Sequence, residues 1–273
     1  MFFSAIKTEP LPERVLSLCQ AVADKAPIEE KELSGIIVPP LLNTAKTSYF
    51  KPVFDTACEL KLIGYDEAEK VVFTGNKEDI KSLSAFRRYC NSLVFSDNSM
   101  HFYRIISCFL SANDEWLRYG SITSSNEIAR IIIDETGLSS TNIAKDVLLG
   151  VRFWINFLGF GYFQESAKIF LPNMYTALKD FMALGSIEKG AEYTVEEFLD
   201  SLHSGSQVAL KNARETQTLN LAMSNALRSL HDNNEIELSN NLDSEKRWKL
   251  FTNDEHEFTS DITHITIRKA VKK

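Results

Sequence analysis

Three times along this chain an apolar helical stripe runs into a terminator residue and then into a short β-rich pair. The first passage goes through Leu62-Ile63-Gly64 into residues 65–73, the second through Phe157-Leu158-Gly159 into residues 160–171. The third leads from residues 227–231 through Asp232-Asn233-Asn234 into residues 236–238 and, after a polar turn, residues 248–251. Glycine suits the left-handed conformation that releases a chain from a helix, and asparagine is the next best residue there. The β-rich pairs, each folded around a polar turn, predict hairpins. One supersecondary unit used repeatedly is the simplest source of such a recurrence.

What precedes each terminator reads as helix. In the first unit, residues 12–25 set Val15, Leu16, Cys19, Val22 and Ala23 at helical spacing behind a proline suited to a first turn. Residues 29–42 predict a short second helix broken at Pro39-Pro40. Thr47-Ser48 then caps a third helix bearing Phe50, Phe54, Ala57, Cys58 and Leu62. The second unit is marked more clearly. Ser124-x-x-Glu127 is a capping box, residues 137–140 form a Gly-containing turn, and residues 141–158 form the next amphipathic helix. Two helices around such a turn make a helix-turn-helix, and the hairpin that follows makes it winged. In the third unit Thr194-x-x-Glu197 opens a helix over 195–202, and residues 219–231 supply the last one. Helices over 82–94 and 99–112 join units one and two, and residues 171–184 lead into unit three. The pattern predicts a mainly α chain with short β-hairpins, an α+β protein of tandem winged-helix or helix-turn-helix modules at residues 1–81, 82–184 and 185–273.

Several function classes find no support in the residues. The chain is 273 residues long, 44% hydrophobic and 25% charged, enough to bury a core along its length. Cys19, Cys58, Cys90 and Cys108 lack the close pairing of a zinc site and read as reduced core thiols of a cytoplasmic protein. The N-terminus does not follow the order of a secretory leader, and no apolar run reaches the ~20 residues of a membrane span. With no P-loop, dinucleotide fingerprint or nucleophile elbow, the expectation is no enzyme, no cofactor, no metal and no small-molecule substrate. The acidic stretch Asp254-Glu255-His256-Glu257 reads as a plain loop.

A winged helix that reads DNA inserts its third helix into the major groove and touches phosphate with its wing. In unit two the matching residues are Ser140, Thr141, Asn142 and Lys145, with Arg130 before them and Arg152 beyond; Ser140 and Thr141 serve equally well as helix caps. Unit one offers Lys46, Ser48 and Lys51, opposed by Asp55, Glu59 and an acidic hairpin (Asp66, Glu67, Glu69). Unit three offers Lys211 and Arg214 in its connection and Lys246 and Arg247 in its wing. Arg87-Arg88 beside Tyr89 suits either a phosphate or an ordinary exposed helix face. The net charge of −7 argues against a large phosphate footprint, although residues 82–180 balance nine basic against nine acidic side chains. Phe153, Trp154, Phe157, Phe160, Tyr162, Phe163 and Phe170 predict the core of unit two, with surplus rings for docking between units or onto another protein.

The Leu-Ile-Gly-Tyr and Phe-Leu-Gly-Phe helix ends at 62–65 and 157–160, the Glu-Thr-Gly-Leu-Ser turn at 135–139 and the acidic tandem layout resemble small accessory proteins of bacterial anti-phage islands. The nearest in character are the DpdG-type proteins of deazapurine DNA-modification systems. That resemblance implies a non-enzymatic component of a multi-protein defence assembly and gives no residue a role. Acidic charge and surplus aromatics turn the expectation toward an adaptor or DNA-engaging subunit that docks protein partners, with DNA a further candidate partner. The alternative is a sequence-specific transcriptional regulator reading DNA through Asn142 and Lys145. A metal-dependent nuclease stands third, for want of an acidic-lysine constellation.

Overall fold

A computed structural model describes residues 2–3, 6–38, 49–114, 125–138, 147–164, 169–244 and 246–270, with the backbone alone at 125–128, 147–148 and 169. Helices α1 (Pro12–Lys25), α2 (Glu30–Ile37) and α3 (Phe50–Glu59) lead into a hairpin of β1 (Ile63–Tyr65) and β2 (Val71–Phe73). Ile28, between α1 and α2, bridges antiparallel to Val71, so β2 has a partner on each side. Next come α4 (Leu83–Val94), α5 (His101–Ser111), α6 (Ser125–Thr136) and α7 (Val147–Leu158), then the hairpin of β3 (Gly161–Gln164) and β4 (Ile169–Pro172). The last stretch contains α8 (Tyr175–Leu184), β5 (Glu192–Thr194), α9 (Val195–Ser201), the short α10 (Ala213–Thr216) and α11 (Leu221–Asp232). It closes with β6 (Ile236–Ser239), β7 (Trp248–Lys249), β8 (Asp261–Ile262) and β9 (His264–Ile267). The protein is thus mainly helical with small antiparallel sheets, an α+β chain. Its three-stranded sheet has the order β5-β9-β6.

The three helix ends repeat one hydrogen-bond arrangement. At the end of α7, Gly159 has φ +84°; its N–H donates to Asn156 O (3.2 Å) and that of Phe160 to Ile155 O (3.1 Å). At the end of α11, Asn234 has φ +53°; its N–H reaches His231 O (2.8 Å), and that of Glu235 reaches Leu230 O (2.9 Å). These are the paired bonds that satisfy the last carbonyls of a helix around a left-handed residue. At the first end, glycine does not take that position. Lys61 does, with φ +57° and bonds from Lys61 N to Cys58 O and from Leu62 N to Ala57 O. Gly64 lies inside β1, opposite Val72. Leu62 and Ile63 are both buried, and the chain must leave the helix at Lys61 for Ile63 to pair with Phe73.

The third predicted hairpin also departs from expectation. β6 pairs with β9 rather than with residues 248–251, while β7 pairs with β8. Ile236 and Leu238 point inward with Ile265 and Ile267, and the central place of β9 lets β5 share that face. The capping box at Thr194 is present, with Thr194 N donating to Glu197 Oε2 (2.8 Å) and Glu197 N to Thr194 Oγ1 (3.3 Å). The predicted cap at Thr47-Ser48, the break at Pro39-Pro40 and the start of the capping box at Ser124 lie outside the described residues. All four cysteines are free; burial pushes the Cys19 thiol up to about 12 and those of Cys58 and Cys108 up to about 11.

The aromatic surplus of residues 153–170 is used largely inside the molecule. Trp154 is buried, meets Phe2 edge-on at 4.8 Å and donates its indole N–H to Pro10 O at 2.7 Å. Phe160 meets Phe95 at 4.9 Å, and Phe95 in turn meets Phe181 at 6.4 Å. Rings from the N-terminal segment, the loop after α4, α7 and α8 therefore share one core. Burying each such ring contributes roughly 2–3 kcal/mol.

Candidate interaction site

Six of the predicted contacts, Lys46, Ser48, Ser140, Thr141, Asn142 and Lys145, lie outside the described residues. The others are spread over several elements. Arg130 is exposed on α6, and Arg152 on α7 stacks its guanidinium 4.5 Å over the half-exposed Phe153 ring. Lys51 pairs with Asp55 at 2.9 Å, Lys211 with Glu135 at 4.0 Å, Arg214 with Asp200 at 2.7 Å and Lys246 with Glu196 at 2.6 Å. Arg247 donates to Leu242 O at 3.1 Å. α9 thus gathers Arg214 and Lys246 through its own carboxylates. Exposed pairs of this kind add less than about 1 kcal/mol to stability. They do mute the field that each cation offers to a polyanion. The acidic loop is pinned by histidines, with His231 against Glu257 at 2.6 Å and His256 against Asp232 at 3.0 Å.

The most developed polar site forms around Arg87 and Arg88 instead. Ser82 caps α4 by accepting from Ala85 N, and the helical spacing puts Arg87 and Asn91 on one face, one turn apart. Opposite them, Asn173 Oδ1 accepts from Tyr175 N at the start of α8, and Asp180 lies midway along that helix. Arg87 grips Asp180 with two parallel bonds, Nε to Oδ2 at 2.8 Å and Nη2 to Oδ1 at 3.1 Å. Asn91 Nδ2 adds a third bond to Asp180 Oδ2 at 2.9 Å and also reaches Leu158 O at 3.2 Å. Asp180 is buried, so the carboxylate depends on these donors; removing either charge of such a pair costs about 3–5 kcal/mol.

Beside this lock lies a cavity of about 600 Å³ between α4, α8, the end of α11 and the strand end at Lys269. Lys179 pairs there with Glu235 at 2.7 Å, and the Tyr175 hydroxyl donates to the same carboxylate. Burial raises the Glu235 pKa, but the bonds from Lys179 and Tyr175 outweigh it and hold the carboxyl below its ordinary value. Sequence reading singled out Arg87 and Arg88 but not the cavity. Its other members come from residue 84 and from residues 175–182, 230–235 and 269–270, and no local pattern links them.

A smaller apolar surface remains outside. Tyr162 and Leu171, paired across β3 and β4, are both exposed, as are Leu149 and Phe153 on α7. Among the described residues no cluster of His, Cys, Asp or Glu has the grouping to hold a metal ion, and no helix is long and apolar enough to cross a membrane. No curated protein and no solved structure matches the chain. The profile of the DpdG-like family, by contrast, matches residues 5–244, from before α1 to beyond β6. This match agrees with the resemblance read from the residues: the chain belongs to the DpdG-like family.

Proposed function

We propose that this chain is a non-catalytic subunit of a multi-protein anti-phage defence assembly, built from three winged-helix units that dock protein partners. The observation that carries the reading is a shared element order. In the first unit it runs helix, bridge residue Ile28, two helices and two strands, with the last strand between its partners. The third repeats it with α8, β5, α9, α11, β6 and β9, with the short α10 and the β7–β8 pair inserted, and again with the last strand in the middle. The second has α5, α6, α7 and the β3–β4 hairpin. This reading draws α8 into the third unit as its first helix.

Family membership supports the association with defence islands. Charge supports docking over DNA reading: the net charge is −7, and Lys51, Lys211, Arg214 and Lys246 each face a carboxylate. Any DNA contact falls to the second unit, through Asn142, Lys145 and Arg130. A gel-shift titration on genomic fragments at two salt concentrations tests this. The expected result is weak binding that fades as salt rises and shows no sequence preference. Tight binding to a defined sequence, lost on Lys145→Ala or Asn142→Ala, would instead identify a transcriptional regulator.

A further inference from the structure

We infer that the cavity between α4, α8 and the strand end at Lys269 is a binding site for a phosphate-bearing small molecule of mononucleotide size. This goes beyond the docking role and does not rest on the winged-helix reading. The argument starts from charge. Among the described residues the cavity is lined by four cations, Arg87, Arg88, Lys179 and Lys269, and by two carboxylates, Asp180 and Glu235. Arg87 spends its fork on Asp180, and Lys179 is matched by Glu235. Arg88 and Lys269 remain. Arg88 Nε is 3.8 Å from Asp180 Oδ1, buried, and makes no hydrogen bond. Lys269 Nζ donates to the neutral Asn233 O at 2.6 Å. Four cations thus share two carboxylates, Arg88 sharing Asp180 with Arg87 and Lys269 lying near enough to Glu235 to favour its charge, in a chain whose total is −7.

An excess of positive charge around one cavity favours an anion there, and the outer nitrogens of a planar guanidinium suit the oxygens of a phosphate. A terminal phosphate carries about −1.5 to −2 charges at neutral pH, which closes the balance. The cavity, at about 600 Å³, falls within the roughly 300–1,000 Å³ of small-molecule sites. Met182 and Leu230 add apolar wall for the rest of the ligand. Arg87 and Asn91 act as positioning residues, since they hold Asp180 and with it the side of the cavity that Arg88 leans on.

Titration calorimetry on the full chain tests the site with four probes: pyrophosphate, ATP, a short oligonucleotide with a terminal phosphate, and its unphosphorylated twin. Pyrophosphate and ATP are expected to bind, and Arg88→Gln and Lys269→Gln each to weaken them about tenfold. Lys189→Gln, the same charge change at an exposed position elsewhere, leaves binding unchanged. Lys269 is exposed at the rim, so its replacement reads the site even if Arg88→Gln disturbs packing. Binding of the phosphorylated oligonucleotide alone, with the same dependence on both variants, keeps the site and assigns its phosphate to a nucleic-acid end. The proposal is overturned if no probe binds, if the unphosphorylated twin binds as well as the phosphorylated one, or if both variants bind like the wild type.

Discussion

The helix ends at Lys61 and Gly159 make the same pair of hydrogen bonds around the same left-handed turn, yet one uses lysine and the other glycine. The surroundings differ. Lys61 is exposed, and its side chain leaves freely into solvent. Gly159 abuts the start of α8, where Ala177 N donates to Gly159 O at 3.3 Å, and a Cβ on Gly159 would lie 2.6 Å from Thr176 Cβ and 2.8 Å from Ala177 N. A left-handed turn alone is affordable to lysine at about 1 kcal/mol. Close backbone approach is not. Glycine in this repeat therefore marks where two helices meet, and the turn itself tolerates other residues.

Substitutions at these ends should separate the two effects. Gly159→Ala carries both the clash and the left-handed strain, and is expected to destabilise the protein by about 3 kcal/mol in urea unfolding. A loss under about 1 kcal/mol would mean that α8 yields easily and the contrast with Lys61 is only conformational. Asn234→Ala, in an exposed turn, should cost about 1 kcal/mol. Lys61→Gly should change stability in the opposite direction, a gain of about 0.5 kcal/mol, because relief of strain outweighs the extra freedom of the unfolded chain.

The third end adds a charge to the comparison, since Glu235 directly follows Asn234. Its carboxyl is held below the ordinary value when folded, burial being outweighed by Lys179 and Tyr175. The stability it contributes is full above the ordinary glutamate pKa of about 4.3 and is lost as pH falls through the lower folded value. Glu235→Gln should flatten that part of the stability profile relative to wild type, and equal acid profiles would count against the Lys179–Glu235 pairing.

These contrasts also explain what could be read from residues alone. The ends at Gly159 and Asn234, the capping box at Thr194 and the helices around 82–94, 101–111 and 221–232 obey rules that act within a few residues, and all were legible. Gly64 misled because glycine is consistent with both a helix end and a strand, and only the pairing of Ile63 with Phe73 decides between them. The third predicted hairpin misled for a related reason. Residues 248–250 and 265–267 both alternate apolar and polar, so periodicity cannot choose the partner of β6. The cavity was beyond reach because its central lock joins Arg87 to Asp180 across 93 positions. The carboxylates opposite Arg214 and Lys246 were hidden in the same way, and the clearest groove-reading candidates, residues 140–145, lie outside the described residues.

The central claim is that these units serve to dock protein. Its most direct test is size-exclusion chromatography with light scattering on the chain co-expressed with the products of its neighbouring genes, after nuclease treatment and at high salt. The account predicts a complex of fixed stoichiometry containing this chain. Elution of the chain alone, with its neighbours recovered in separate peaks, would contradict it.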